Sequence, residues 1–233
     1  MKQKILNKPN CIIAARGNSK RLKNKNILKV NGKSLIEIVI KNAIKSKIFD
    51  KIIVSTDSKR IAKIAKKSGA IVPFLRTRRL SSDKAGLLPV VKNAVLKTES
   101  IKKKNNFFIY PTAILLKPVD MVKSYKKFIK SRCNFLIAIK KAQSNPLKCF
   151  VINNKKFLKY KWPENKDKRG QDLKSFYNDA GSFFIFKTEN FIKYGFNEKN
   201  NTYYLLDQFS CVDINNLDDF NLAKFFYKKI INN

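Results

Sequence analysis

Cys11-Ile12-Ile13-Ala14-Ala15-Arg16-Gly17-Asn18-Ser19-Lys20-Arg21 decides the fold. Its first five residues form a short, unbroken apolar run, the pattern of a strand buried on both faces as in parallel sheets. The run passes directly into a polar loop with one glycine, a serine and several cations. Open α/β sheets bind ligands beyond the carboxyl ends of their strands, so this loop is the first place to look for chemistry.

The same alternation continues outward. Ser34 opens a helix with a broad apolar face through Ile44, and Lys51–Thr56 reads as a second strand. Asp57 or Ser58 caps a helix through Ala65, Gly69 is its left-handed stop, and Ala70–Phe74 reads as a third strand. A helix follows over Pro89–Lys97, a strand at Phe107–Tyr110, a helix over Pro118–Ser131 and a strand at Phe135–Ile139. Ser182–Lys187 is expected as a strand and Leu217–Ile231 as a closing helix. This is the pattern of an α/β fold, a mostly parallel sheet flanked by helices. Between Asn145 and Asp167 the texture changes to Pro, Asn, Lys and short apolar pieces, which suggests a projecting hairpin lobe. There is no internal repeat and no linker, so residues 1–233 are expected to form one domain.

Composition narrows the chemistry. The 233 residues carry 51 Lys and Arg against 16 Asp and Glu, a net charge of +35, and no histidine. Without histidine there is no Ser-His-Asp triad, no Cys-His dyad and no His-ligated zinc. A charge of this size has two readings, a polyanion or membrane-surface binder, or compositional drift. Lys (43), Ile (26) and Asn (25) are all encoded by AT-rich codons, and no lysine run is longer than Lys102-Lys103-Lys104, which favours drift. The four cysteines, Cys11, Cys133, Cys149 and Cys211, show no metal-type spacing and read as small buried hydrophobes. With no signal-peptide core at Met1–Asn10 and no apolar run of membrane length, a cytoplasmic protein without membrane or nucleic-acid partners is expected.

The loop itself combines a glycine for close approach, backbone amides, Ser19, and the cations Arg16, Lys20, Arg21 and Lys25, a set suited to polyphosphate. It is neither a Walker A loop nor a G-x-G-x-x-G fingerprint. In so lysine-rich a chain, background alone could also produce it.

Ala14 to Asn26 resembles the signature loop of the sugar-acid cytidylyltransferases, A-R-G-G-S-K-[GR]-[IL]-P-x-K-N, a family that includes the CMP-sialic acid synthetases. Further segments recur in the family's order: Val54–Asp57, Val72–Arg76 with Leu80 and Asp83, Tyr110–Ala113, Trp162–Glu164, Arg169 with Gln171-Asp172, Asn178–Gly181 and Val212–Ile214. The resemblance spans about residues 10 to 228. The W-P-E, R-x-Q-D and D-A-G-x-F segments look most like the pseudaminic acid cytidylyltransferase branch. Sialic acid enzymes typically have N-G-A where this chain has Asp179-Ala180-Gly181.

The resemblance implies a Rossmann-like nucleotidyltransferase that moves CMP from CTP to the anomeric hydroxyl of a nine-carbon sugar acid, releasing pyrophosphate and using Mg²⁺. The nucleophile then belongs to the substrate, and the absence of histidine costs nothing. By motif match Ala15, Arg16, Gly17, Asn18, Ser19, Lys20, Lys25, Asn26, Arg76 and Ala85 would bind the nucleotide, with Arg16, Lys25 and Asp213 as the catalytic set. Asp213 and Asn215 would meet the metal, and Tyr110, Arg169, Gln171, Asp179 and Phe183 the sugar acid. Plainer readings stand beside these: Arg76 as a surface charge, Tyr110 and Phe183 as core. Asp57 reads as a helix cap rather than a metal ligand. The chain departs from the family at Asn215 (where D-I-D is usual), at Asn18 for a second glycine, a residue that tolerates left-handed φ, and at Lys23 for proline. Family members are typically homodimers whose lobe reaches the partner's site. CMP-N-acetylneuraminate, CMP-legionaminate and CMP-Kdo synthesis remain alternatives, as do a nucleic-acid binder and an inactive CTP-binding homologue.

Overall fold

The computed structural model describes residues 8–197 and 199–232. In chain order its elements are β1 (Asn10–Ala14), β2 (Lys29–Val30), β3 (Lys33–Ser34), α1 (Leu35–Ser46), β4 (Ile52–Ser55) and α2 (Lys59–Lys67). There follow α3 (Arg78–Ser81), α4 (Leu87–Leu96), β5 (Asn105–Ile109), α5 (Pro118–Ser131) and β6 (Phe135–Lys141). The chain ends with β7 (Phe150–Ile152), β8 (Leu158–Tyr160), β9 (Tyr177–Lys187), α6 (Thr188–Tyr194), β10 (Asn201–Leu205) and α7 (Leu217–Asn232).

Six strands form one sheet in the order β10-β6-β9-β5-β1-β4, parallel except for β9. Period-two alternation sends side chains to two cores. Cys11 and Ile13, Phe107 and Ile109, and Phe183 and Ile185 face the core built with α1, α5 and α7. Ile12, Phe108, Phe184 and Phe186 face the second core, with Val91, Ala94 and Val95 of α4 and Phe191 of α6. Both faces are therefore covered, as the apolar run at 11–15 predicts. On the second face Phe108, Phe184 and Phe135 stack across three adjacent strands, with ring centroids 4.6 and 5.0 Å apart. Such cross-strand aromatic pairs fix register as well as bury area.

The antiparallel β9 has a topological cause. β6 ends at Lys141, which pairs with Tyr177 at the start of β9. The intervening residues leave and re-enter the sheet at the same end, so the returning strand must run backwards. Its pairing with β6 shifts register between Ile137 and Ile139, opposite Gly181, whose φ is +60°. A bulge there bends the strand toward the ligand end of the sheet.

Several expectations need correction. Ala70–Phe74 is not a strand: Ile71 makes an isolated bridge with Ile53, and the next bridge, Thr56 with Leu75, falls just beyond the segment, because Pro73 interrupts the row of backbone donors. β9 starts five residues earlier than expected, and α6 and β10 were not anticipated. Ser58, not Asp57, caps α2, its Oγ accepting from the Ile61 N–H. Cys149 is exposed, while Cys11, Cys133 and Cys211 are buried. The hairpin expected within 145–167 is present as β7 and β8, with Ile152, Phe157 and Leu158 about two-thirds exposed. Among the described residues no helix is long and apolar enough to cross a membrane.

Candidate active site

A cavity of about 390 Å³ opens where β1 and β5 end. Its walls are the loop after β1, residues between Arg76 and Val90, Tyr110–Thr112, and Asp213 with Asn215 ahead of α7. Five cations, Arg16, Lys20, Arg21, Lys25 and Arg76, line it against two carboxylates, Asp83 and Asp213. A larger hollow of about 820 Å³ lies at the opposite end of β5 among Lys102, Lys103, Lys104 and Lys187. Three of those ammonium groups meet Glu99, Asp50 and the Arg132 carbonyl.

The loop after β1 is tied down at three points. Gly17 N–H donates to Asp57 Oδ1 at 2.8 Å, and a Cβ on Gly17 would stand 2.9 Å from Ser58 Cβ. Glycine is required there for proximity; neither Gly17 nor Asn18 has positive φ, and it is Asn24 that takes the left-handed conformation. Asn26 Nδ2 donates to the Arg16 carbonyl at 2.9 Å, which closes the loop on itself. Lys25 Nζ reaches across to the Ile214 carbonyl at 2.6 Å and holds the Asp213–Asn215 segment against the loop. Burial lowers the Lys25 pKa, and Asp213 opposes that by favouring the charged form.

Asp213 is placed from two sides. Gly181 packs against it so closely that an added Cβ would lie 3.3 Å from Asp213 Cβ and Cγ. On the other side Asn215 Nδ2 donates to Asp213 Oδ2 at 2.8 Å. Asp219 and Asn216 form a reciprocal capping box at the start of α7, and Asp219 Oδ2 also accepts from the Asn215 N–H at 2.8 Å. Asn215 is thus fixed by the helix terminus. Its side chain can offer Oδ1, while its amide neutralises nothing but satisfies one lone pair of Asp213.

Arg76 is buried, not a surface charge. Its Nη1 donates to the Ser55 carbonyl at 3.3 Å and its Nε to Ser81 Oγ at 3.1 Å. Burial lowers its pKa, with Asp57 working against that shift. Asn26 Oδ1 is buried with no hydrogen-bond partner among the described residues. A buried acceptor without a donor is a costly arrangement and a natural receiver for a ligand N–H.

The remaining candidates separate. Ser19 and Ala85 line the cavity; Ala15 is buried behind it, and Ala14 lines it instead. Tyr110 lines the cavity, its pKa raised by burial and by the charges of Asp179 and Asp213. Desolvation raises the Asp179 pKa, and Asp213 adds to it, although Gly181 N–H donates to its Oδ1 at 2.8 Å. Phe183 is fully buried against Phe107, with centroids 5.0 Å apart, so it is core. Arg169 and Gln171 do not line this cavity; they lie on an exposed turn where Arg169 forms a bidentate pair with Asp172.

Sequence reading passed over the roles of Asp83, Asp57 and Asp219. Asp83 Oδ1 meets Arg16 at 2.6 Å and its Oδ2 meets Lys20 at 2.7 Å, so one carboxylate bridges two cations of the loop. Those pairs, with Lys20 first, lower the Asp83 pKa. The capping pattern Asn216-x-x-Asp219 was the legible signal for Asp219.

Residues 10–131 match the family described as Cytidylyltransferase. The chain is 35% identical over 225 residues to the pseudaminic acid cytidylyltransferase of Campylobacter jejuni subsp. jejuni serotype O:2, covering 94% of this chain and 95% of that one. It is also 35% identical over 223 residues to the CMP-N,N'-diacetyllegionaminic acid synthase of the same organism, covering 92% and 93%. In fold it is similar to a CMP:2-keto-3-deoxy-manno-octonic acid synthetase complexed with CTP, with a TM-score of 0.71 at 13% identity over 95% of this chain and 99% of that one.

A polyphosphate bound at this loop would compete with Asp83 for Arg16 and Lys20. In EDTA, Asp83→Asn is expected to bind CTP more tightly than wild type by about two- to fivefold, the range of an exposed ion pair. Equal or weaker binding in a calorimetric titration would show that Asp83 orders the cations rather than competing for them.

Proposed function

Since the chain belongs to the cytidylyltransferase family, we propose that it activates pseudaminic acid, or a close nine-carbon relative, by transferring CMP from CTP to the anomeric hydroxyl with release of pyrophosphate. In coarser terms it is a nucleotidyltransferase of the acylneuraminate cytidylyltransferase type that activates a sugar acid. The observation that carries the reading is the single cavity in which a cationic loop faces Asp213 and Asn215.

The reaction needs an α-phosphorus held in line with a sugar hydroxyl and a leaving group relieved of charge. Arg16, Ser19, Lys20 and Lys25 would bind the phosphates, with Arg16 and Lys25 stabilising charge as it moves onto pyrophosphate. Ala15, Gly17, Asn18 and Ala85 would shape the backbone around the nucleotide. Asn26 Oδ1, buried and unpaired, suits the cytosine 4-amino group, and the guanidinium of Arg76 suits the acceptors O2 and N3. The donors at the metal end fit Mg²⁺, because Asp213 supplies one charged oxygen and Asn215 a neutral one, and Mg²⁺ takes few protein ligands when phosphates supply the rest. Bound there, Mg²⁺ would neutralise phosphate charge. Tyr110 and Asp179 would face the acceptor sugar. The Asp179-Ala180-Gly181 sequence, beside Trp162–Glu164 and Arg169–Asp172, is what favours pseudaminic acid.

Arg169 and Gln171 would serve the site of a second copy in a homodimer. The β7–β8 hairpin supports this, since Phe150, Ile152, Phe157 and Leu158 are all more than half exposed and a lone hairpin is marginally stable in water.

The test is pyrophosphate release from CTP and Mg²⁺ with a panel of nine- and eight-carbon sugar acids. Pseudaminic acid is expected to give the fastest release; none with any acid would leave a non-catalytic CTP binder or a polyanion binder. Asn215→Asp is expected to lower the Mg²⁺ concentration for half-maximal rate, and an unchanged or raised requirement refutes the metal assignment. Leu158→Asp is expected to shift a dimer toward monomer in analytical ultracentrifugation; a wild-type monomer would refute the dimer.

A further inference from the structure

We propose that Asp57 is a positioning residue that couples recognition of the base to recognition of the phosphates. The inference rests on the nucleotide reading above. Asp57 follows β4 and is free of the capping role, which Ser58 performs. One oxygen, Oδ1, faces two partners from different parts of the site. It accepts the Gly17 N–H at 2.8 Å and lies 3.8 Å from Arg76 Nη2.

Each partner depends on it for a separate physical reason. The Arg76 side chain is 3% exposed, and among the described residues Asp57 is the one carboxylate within 4.0 Å of it. A buried guanidinium stripped of its counter-charge is strongly disfavoured. The loop, in turn, has few internal ties. Gly17 is pressed on the corner at Asp57 and Ser58, with room there for no side chain, and its N–H is spent on Asp57 rather than turned toward phosphate. An ionised acceptor makes that hydrogen bond stronger than a neutral one. Because the same oxygen serves both, a cytosine that draws Arg76 and a triphosphate that draws Arg16 and its neighbour Gly17 act on one carboxylate. Base and phosphate binding are thereby linked through a residue that touches neither.

Two substitutions divide the roles. Asp57→Asn keeps an oxygen for Gly17 and removes the charge facing Arg76; Asp57→Ala removes both. Calorimetric titration of CTP, UTP and inorganic pyrophosphate into each full-length protein, with its thermal melt recorded, reads the outcome. For Asp57→Asn, pyrophosphate affinity is expected within about twofold of wild type while the preference for CTP over UTP falls about tenfold. For Asp57→Ala, pyrophosphate affinity is expected to fall about tenfold as well. An Asp57→Asn protein that melts like wild type and keeps its CTP preference overturns the proposal. So does an Asp57→Ala protein that keeps wild-type pyrophosphate affinity. Should Asp57→Ala fail to fold, the Asp57→Asn result decides alone. A wild-type chain that binds pyrophosphate yet shows no preference for CTP overturns the cytidine reading itself, a result visible before any variant is made.

Discussion

Five cations gathered around one small cavity repel one another, and the arrangement of this site is the answer to that repulsion. Arg16 and Lys20 share Asp83, Arg76 faces Asp57, and Lys25 gives its proton donors to a backbone carbonyl in a segment headed by Asp213. Each compensating group comes from a different part of the chain: the turn after β4, the segment around α3, and the entry to α7. The attraction of these cations for Asp83, Asp57 and the Ile214 carbonyl joins the three pieces in one wall. Asp57, Asp83 and Asp213 offset only part of the charge of the five cations, and a polyphosphate would offset more of it.

The sheet places these pieces and is itself constrained by one excursion. Because the chain leaves after β6 and returns at the same end, β9 runs antiparallel and brings Asp179 and Gly181 to the ligand end. Gly181 then sits where only a glycine can approach Asp213 at ordinary contact distance with φ of +60°. The fold and the Asp213 side of the cavity are joined at that residue. The aromatic stack of Phe108, Phe184 and Phe135 holds the same three strands in register below it.

How much of this was legible in the sequence depended on the length scale of each signal. The strand at 11–15, helix α1 with its Ser34 cap and the helix at 118–131 follow from local periodicity and were readable. So was the loop, because cations and glycine at the end of a buried strand are adjacent in sequence. The antiparallel β9 and the burial of Arg76 were not, since each is decided by residues far away in the chain. The core position of Phe183 was one of the two readings its apolar stretch allowed. Pro73 did carry a local warning against the third strand, and Asn31-Gly32, both with positive φ between β2 and β3, carried a hairpin signal that went unread. Asp57 shows the limit most clearly. Its position before a helix fits a cap equally well, and only the fold reveals that Ser58 caps while Asp57 reaches Gly17.

The charge of +35 acquires a different meaning from its scarce side. Only 16 residues are acidic, yet Asp57, Asp83, Asp179, Asp213 and Asp219 all converge on one end of one sheet. Lysines are spread along the whole chain, so finding several near any cavity carries little information, as the engaged lysines of the larger hollow illustrate. Carboxylates are the rare residues here, and each of these five has a specific partner: a backbone amide, a guanidinium, an ammonium, a side-chain amide or a helix terminus. In a chain with this composition a convergence of acids is the less expected event, and a convergence of lysines the more expected one. By the same argument the neutral Asn215 beside Asp213 bears on the charge of the site more than any one of the surplus lysines. It keeps neutral a position where the resemblance implies a carboxylate, at the end of the sheet where the acids converge.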